Sequence, residues 1–209
     1  LHRLGQGKAN RTINIELNFI SNTLVMAEEW GYLVPNIKIR RLKEDKKLPR
    51  YFSKDEVSRM ISNSSKHLKQ VITISIYTGL RINELLNLKW ENIDFENNVI
   101  KVIQSATFKT KNRRERYVPI HPNLRTYLVY LRNHFIDPQT DKVSTRNEEQ
   151  QVYILCSKYG FPIKCVRKSF VNLLRKLNIK NTMLHTLRHT FASMCVMNNV
   201  DLYTIKEFL

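Results

Sequence analysis

In the stretch LHTLRHTFAS, at 184–193, His185 stands three residues before Arg188, and His189 follows Arg188 at once. Two imidazoles and a guanidinium therefore fall on about one turn of helix. A packing surface wants neither group, because desolvating a charge without a partner costs several kcal/mol. An anionic partner accounts for the set. A hundred residues earlier, Arg81 is followed at i+3 by Glu84, the spacing at which a carboxylate holds a guanidinium on one helix face. Taken singly, Arg81 reads as a surface residue and each histidine as a satisfied core or surface side chain. Their joint occurrence points to chemistry on an anion, with Glu84 supporting Arg81, His189 supporting Arg188, and Leu187, Phe191 and Met194 as core.

The charge balance names a class of anion. The chain has 209 residues with 35 Lys and Arg against 18 Asp and Glu, a formal charge of +17, and suits a polyanion such as nucleic acid. A solvated face normally mixes signs, yet 150–200 contains no acid while Lys158, Lys164, Arg167, Lys168, Arg175, Lys176, Lys180 and Arg188 lie within it. A second basic block at 101–116 sets Lys101, Lys109, Lys111, Arg113, Arg114 and Arg116 against the single acid Glu115. The two blocks are expected to converge on one groove. Cys156, Cys165 and Cys195 show no CxxC spacing and are odd in number, so reduced thiols are expected rather than a disulfide framework. No Cys/His grouping has metal-ligand spacing, and no cofactor is expected. No stretch approaches the ~20 apolar residues of a membrane span, and the opening LHRLGQGKAN lacks a signal-peptide core.

These residues need elements to position them. At 42% hydrophobic content the chain can build a real core. From Ala9 onward, Ile13, Ile15, Leu17, Phe19, Ile20, Leu24, Val25, Ala27 and Trp30 keep a helical period until Gly31 and Pro35 end it. The polar stretch KIRRLKEDKKLPR reads as a linker. Ser53 with Glu56 three residues on forms a capping box and opens a second domain. Within it, QVITISIYTGLRINELLNLKW predicts a helix through Tyr77, a turn at Thr78 and Gly79, and a second helix carrying Ile82, Leu85, Leu86 and Trp90. Short β-rich runs over 93–120, with Asn97 and Asn98 as a turn and a polar hinge at 111–114, predict a small antiparallel sheet. Helices are expected at 122–136, 167–177, 185–198 and 201–209. The fold class is mainly α with a small antiparallel β-sheet, α+β.

TGLRINELLNLKW, KTKNRRERYVPI and HTLRHTFAS, in this order and separation, resemble the three boxes of the tyrosine recombinases, the phage-integrase family. EEWGYLVPNI resembles the end of that family's helical core-binding domain. The resemblance implies the end of a core-binding domain at 1–42, a linker at 43–52 and a catalytic domain at 53–209. It implies site-specific DNA cleavage and rejoining through a 3′-phosphotyrosyl intermediate. Arg81 and Arg188 would clamp the nonbridging phosphate oxygens, which planar guanidinium forks meet bidentately. His185 would assist in proton handling, and a hairpin lysine would protonate the departing 5′ oxygen. Lys111, eight residues before Pro119, is assigned that role, with Lys109 as the competing candidate and a phosphate contact. Arg113, Arg114, Lys164, Arg167 and Lys168 are expected to bind DNA. Expected partners are double-stranded DNA, sister protomers in a synaptic tetramer and accessory DNA-bending proteins, in a cytoplasmic, nucleoid-associated setting and without a membrane.

The family's nucleophilic tyrosine and second active-site histidine would follow Leu209, so the chain is expected to be an excised piece without its nucleophile. Tyr203, the one tyrosine after Arg188, is expected on a helix capped by Asp201, with Leu202, Ile205 and Leu209 facing the core and Tyr203 on a flank. A non-catalytic DNA-binding module and a type IB topoisomerase are the alternatives. Assigning the acid to Lys111 has a chemical test in a protein that carries the nucleophile. Lys111→Ala should recover most of its cleavage on a substrate with a 5′-bridging phosphorothiolate, whose sulfur leaves without a proton. Recovery by Lys109→Ala instead would reverse the assignment.

Overall fold

A computed structural model describes residues 2–33, 37–44, 49–103, 115–140, 142–147, 149 and 151–209. The chain divides into two compact units, Leu1–Leu48 and Pro49–Leu209. The first is built on two helices, α1 (His2–Gly5) and α2 (Asn10–Glu29). Gly7 and Gly31, both at positive φ, lie in the chain just beyond the end of each helix. Asn14, buried on α2, holds residues 42–44 alongside: its Nδ2 donates to the Leu42 carbonyl at 2.9 Å and to Glu44 Oε1 at 2.7 Å, and its Oδ1 accepts from Leu42 N–H at 2.8 Å. One amide side chain thus stands in for a strand partner.

The second unit opens as the capping box requires. Ser53 Oγ accepts from Glu56 N–H at 3.1 Å, Glu56 Oε2 accepts from Ser53 N–H at 3.1 Å, and α3 (Lys54–Asn63) follows. Next comes α4 (Lys66–Thr78), whose residues Leu68, Val71, Ile72, Ile74, Ile76 and Thr78 are all buried, so the helix runs through the core rather than along its surface. Gly79 ends it in the left-handed region at φ 62°.

The following helix, α5 (Ile82–Leu86), is shorter than its sequence pattern suggests. Trp90 was expected on it, but Trp90 lies in a separate 3-10 turn, Trp90–Asn92. The reason is long-range pairing: Trp90 N–H donates to Val152 O and Ile154 N–H to Leu88 O, both at 3.0 Å, which draws 88–90 out of helical geometry. Strands β1 (Ile93–Asp94), β2 (Val99–Val102) and β3 (Arg116–Pro119) form the expected antiparallel sheet in the order β1-β2-β3. Ile100 pairs with both Ile93 and Val118, all three buried, and Asn98 at φ 53° completes the first turn.

Helix α6 (Pro122–Asn133) stops short of the expected 136 because 134–136 become strand β4 (His134–Ile136), paired antiparallel with β5 (Val143–Thr145). Arg146, buried beyond β5, ties the next segment down by donating to the carbonyls of Leu131 at 2.9 Å, Tyr153 at 3.2 Å and Ile154 at 3.3 Å, with its guanidinium 5.0 Å from the Trp90 ring centroid. Three helices close the unit: α7 (Arg167–Lys176), α8 (His185–Met197) and α9 (Leu202–Phe208). Helix α8 packs along α4, and α9 against β3 and α8. The Phe52 N–H donates to Thr190 Oγ1 on α8 at 2.9 Å, joining the start of the unit to its far end. Among the described residues no helix is long and apolar enough to cross a membrane.

Gly79 lies close against α8 and the end of α9. A Cβ built there would collide with the Phe191 ring and come within 2.9 Å of Leu209 Cδ2. Gly79→Ala should therefore cost about 3 kcal/mol in urea unfolding, from overpacking added to left-handed backbone strain. Gly79→Asn should be no milder, although asparagine tolerates the dihedral. A mild Gly79→Asn would mean that the backbone angle, and not the close approach, demands glycine.

Candidate functional site

The site grows from the turn between α4 and α5. Arg81 is the N-cap of α5 rather than a residue of its first turn, and Glu84 at the third helical position reaches back to accept its N–H at 2.8 Å. The same carboxylate takes Arg81 Nη1 at 2.9 Å. That much follows from the i to i+3 spacing. The stronger partner comes from elsewhere: Arg116 on β3 meets Glu84 with both terminal nitrogens, Nη2 to Oε2 at 2.6 Å and Nη1 to Oε1 at 3.1 Å. Arg188 on α8 brings Nη1 to 4.0 Å from Glu84 Oε2. Three guanidinium groups thus surround one carboxylate whose side chain is 2% exposed.

Arg188 is fixed chiefly by main chain. Its Nη1 donates to the Gly79 carbonyl at 2.8 Å and its Nη2 to the Leu209 carbonyl. Arg116 Nε donates to the Phe208 carbonyl at 2.8 Å. The last turn of α9, with its carbonyls exposed at the negative end of the helix, is therefore held by the same cations that surround Glu84.

The ionisation of the cluster reports its electrostatics. Burial alone would push the Glu84 carboxyl up, but hydrogen bonds from Arg116 and from the Arg81 backbone and side chain outweigh it and hold Glu84 below its ordinary value. Arg188 is pulled down from 12.5 to about 10, first by burial and next by the positive charge of Arg81, with Arg116 adding to this and Glu84 opposing it. One carboxylate does not neutralise three cations. The excess positive charge favours a bound anion, which would reverse the pull on Arg188.

His185 opens α8 on the exposed side and meets the His189 ring edge-on, with centroids 4.7 Å apart. His185 and Arg188 line one small cleft of about 40 Å³ together with Ser75, Leu80, Ile82 and Leu184. The structure thus brings Arg81, Glu84 and Arg188 together, and places His185 beside Arg188. Lys164, Arg167 and Lys168 are exposed at and before the start of α7. Lys109, Lys111, Arg113 and Arg114 lie outside the described residues. Among the described residues no three His, Cys, Asp or Glu side chains gather as metal ligands would.

Two sequence expectations need correction. Arg116 was assigned to a basic block facing a groove, whereas it turns inward onto Glu84. Strand alternation carried the signal, because Arg116 shares a face with the fully buried Val118 while Tyr117 between them is exposed. A cation on the core face of a strand requires a buried partner. Leu202 was expected to face the core, yet it is 73% exposed, as Tyr203 is at 71%, and only Ile205 of that helix is buried. Helix α9 is held by Ile205 and, through its main chain, at Phe208, and Leu202 at its start stays on the solvent side.

A model of the phage integrase family matches residues 50–209. The chain is 29% identical over 235 aligned residues to the tyrosine recombinase XerC-like protein of Caldanaerobacter subterraneus, covering 98% of this chain and 60% of that protein. It is 28% identical to the tyrosine recombinase XerC of Lactobacillus leichmannii, over 98% of this chain and 70% of the relative. Its fold is similar to that of the Tn1549 transposon integrase solved with a circular intermediate DNA, with a TM-score of 0.76 over 99% of this chain and 73% of that one, at 19% identity. The chain thus spans about 60 to 70% of the curated relatives' length.

The unequal partners of Glu84 give a measurable ranking. Arg116 is 12% exposed and bidentate, so Arg116→Ala should lose about 3 kcal/mol in urea. Arg81, at 26% exposure, should lose about 1 kcal/mol. Because the folded Glu84 lies below its ordinary 4.5, the stability it contributes is full above that pH and fades as the pH falls below 4.5 through the lower folded value. The penalty of Arg116→Ala should fade over the same range. A penalty that stayed constant with acid would detach Arg116 from the carboxylate.

Proposed function

Since the chain belongs to the phage integrase family, we propose that its cluster around Glu84 is the phosphate clamp of DNA strand cleavage and rejoining. The carrying observation is that Arg81 at the start of α5 and Arg188 on α8 meet at one buried carboxylate that leaves net positive charge. Attack on a phosphodiester builds negative charge on the nonbridging oxygens, and preorganised guanidinium groups stabilise it without reorganising. Their alignment is set before DNA arrives, because Glu84, Gly79 and the α9 carbonyls already fix them. In this reading His185, beside Arg188, hydrogen-bonds the phosphate or handles a proton. Lys111 protonates the 5′ oxygen, with Lys109 as a phosphate contact. Glu84 supports Arg81, and His189 supports the Arg188 box through His185. No metal or organic cofactor is called on.

The wider reading follows the family. Residues 1–42 would be the end of a core-binding domain, 43–52 the linker and 53–209 catalytic domain. Lys164, Arg167 and Lys168 would contact DNA, as would Arg113 and Arg114. The placement of Arg167 and Lys168 supports this, because cations in the first turn of α7 oppose the helix dipole unless an anion lies against them. The whole protein would act in integration or excision, in a tetramer of protomers on DNA in the cytoplasm, with DNA-bending proteins as helpers. Tyr203 is not its nucleophile in this reading, since it stands 71% exposed near the start of α9 while the arginines hold the main chain at the other end of that helix.

Measurements of cleavage and of DNA binding test this. Incubated with a nicked suicide substrate, the 209-residue chain should form no covalent adduct on a denaturing gel. An adduct abolished by Tyr203→Phe would make Tyr203 the nucleophile. In a protein that carries the attacking tyrosine, Arg188→Ala should slow cleavage about a hundredfold or more, the scale of losing a transition-state donor. Cleavage at the unmodified rate in Arg188→Ala would remove the clamp. DNA binding should weaken steeply with salt, with log K falling by about 0.9 per phosphate contact for each decade. Charge reversal at Lys164, Arg167 and Lys168 should weaken it more than reversal at Lys43, Lys46 and Lys47.

A further inference from the structure

Between β5 and α7 the chain makes a short projection. Cys156 and Pro162 form an antiparallel bridge. Ser157 N–H donates to the Phe161 carbonyl at 2.8 Å, Gly160 N–H donates to the Ser157 carbonyl at 3.0 Å, and Gly160 closes the turn at φ 82°. The feet are fixed, since Cys156 and Val166 are buried and Ile163 N–H donates to the Leu155 carbonyl at 3.3 Å. The tip is not covered: Tyr159 and Phe161 are 70% and 71% exposed. A hydrogen-bonded turn that holds two aromatic rings in water forgoes the stabilisation their burial would give. Such a tip suits an intermolecular contact.

Its surroundings select the partner. Lys158 Nζ lies 5.0 Å from the Tyr159 ring centroid, and Lys164, Arg167 and Lys168 are exposed just beyond the turn. No acid occurs from 150 to 200. The complementary surface alternates negative charge with apolar patches, which duplex DNA offers as phosphates flanking deoxyribose faces and thymine methyl groups in its grooves. We infer that Tyr159 and Phe161 form a non-ionic DNA contact, seated on deoxyribose and base edges at a groove margin and flanked by the phosphate contacts of Lys164, Arg167 and Lys168. This rests on the DNA-binding reading above and adds a component that does not depend on charge.

That difference in kind is what the experiment reads. The 209-residue chain is titrated with a short random-sequence DNA duplex across a salt series. The double variant Tyr159→Ala, Phe161→Ala should bind about tenfold more weakly at every salt concentration, with the slope of log K against log salt unchanged. The triple variant Lys164→Ala, Arg167→Ala, Lys168→Ala should instead flatten the slope. Binding by the double variant equal to that of the unmodified chain would overturn the inference and leave the DNA reading standing. Failure of the unmodified chain to bind at low salt would overturn both. Should the double variant misfold, hydroxyl-radical labelling of the unmodified chain decides: DNA should protect Tyr159 and Phe161, and undiminished labelling of both rings in the complex would refute the contact.

Discussion

One buried carboxylate organises the second unit. Glu84 accepts from Arg81 beside it in sequence, from Arg116 on the sheet, and lies within 4.0 Å of Arg188 on α8. Without it, three guanidinium groups would repel one another in a poorly hydrated space, where Coulomb energies far exceed those in water. A single negative charge suffices to gather them and is too little to satisfy them. The fold is thereby stable enough to form empty and still favours an incoming anion. Two more carboxylates would neutralise the cluster and remove its excess positive charge.

Local relations were legible in the sequence. The Ser53 and Glu56 capping box, the Asp201 cap, the turn at Asn97 and Asn98 and the Arg81 to Glu84 pair all depend on residues a few positions apart, and each forms as read. Relations set by distant pairing were not legible. Trp90 leaves its helix because 152–154 pair with 88–90, and 134–136 become strand because 143–145 lie alongside. Neither partner is visible in the local pattern. Arg116 falls between these cases: its position opposite solvent on an alternating strand signals burial, while the identity of its partner, 32 residues away, does not follow from spacing. Leu202 shows the limit of periodicity, since a seven-residue helix held at Ile205 need not bury every apolar position of its stripe.

The basic surface and the cluster use opposite electrostatic strategies. Lys164, Arg167 and Lys168 are solvated, so salt screens them. Arg188 is desolvated enough to lose basicity, so its charge is little screened and acts on whatever enters the cleft it shares with His185. Charges of the first kind act over distance and without regard to register, and those of the second kind only on a group within a few ångströms. The separation lets affinity and reactivity vary independently in sequence.

The contacts that build the cluster also set an order in time. Arg188 reaches the Gly79 carbonyl across 109 positions, Arg116 reaches Phe208 across 92, and Phe52 reaches Thr190 across 138. None can close while the chain is still being synthesised up to α8, and the loop entropy of closing them comes before any return from packing. A ribosome-bound intermediate displays Arg81 and Glu84 with no Arg188 to complete the set. The nascent chain, already strongly basic, therefore completes the cluster around Glu84 only after the residues through Phe208 have been made and have packed.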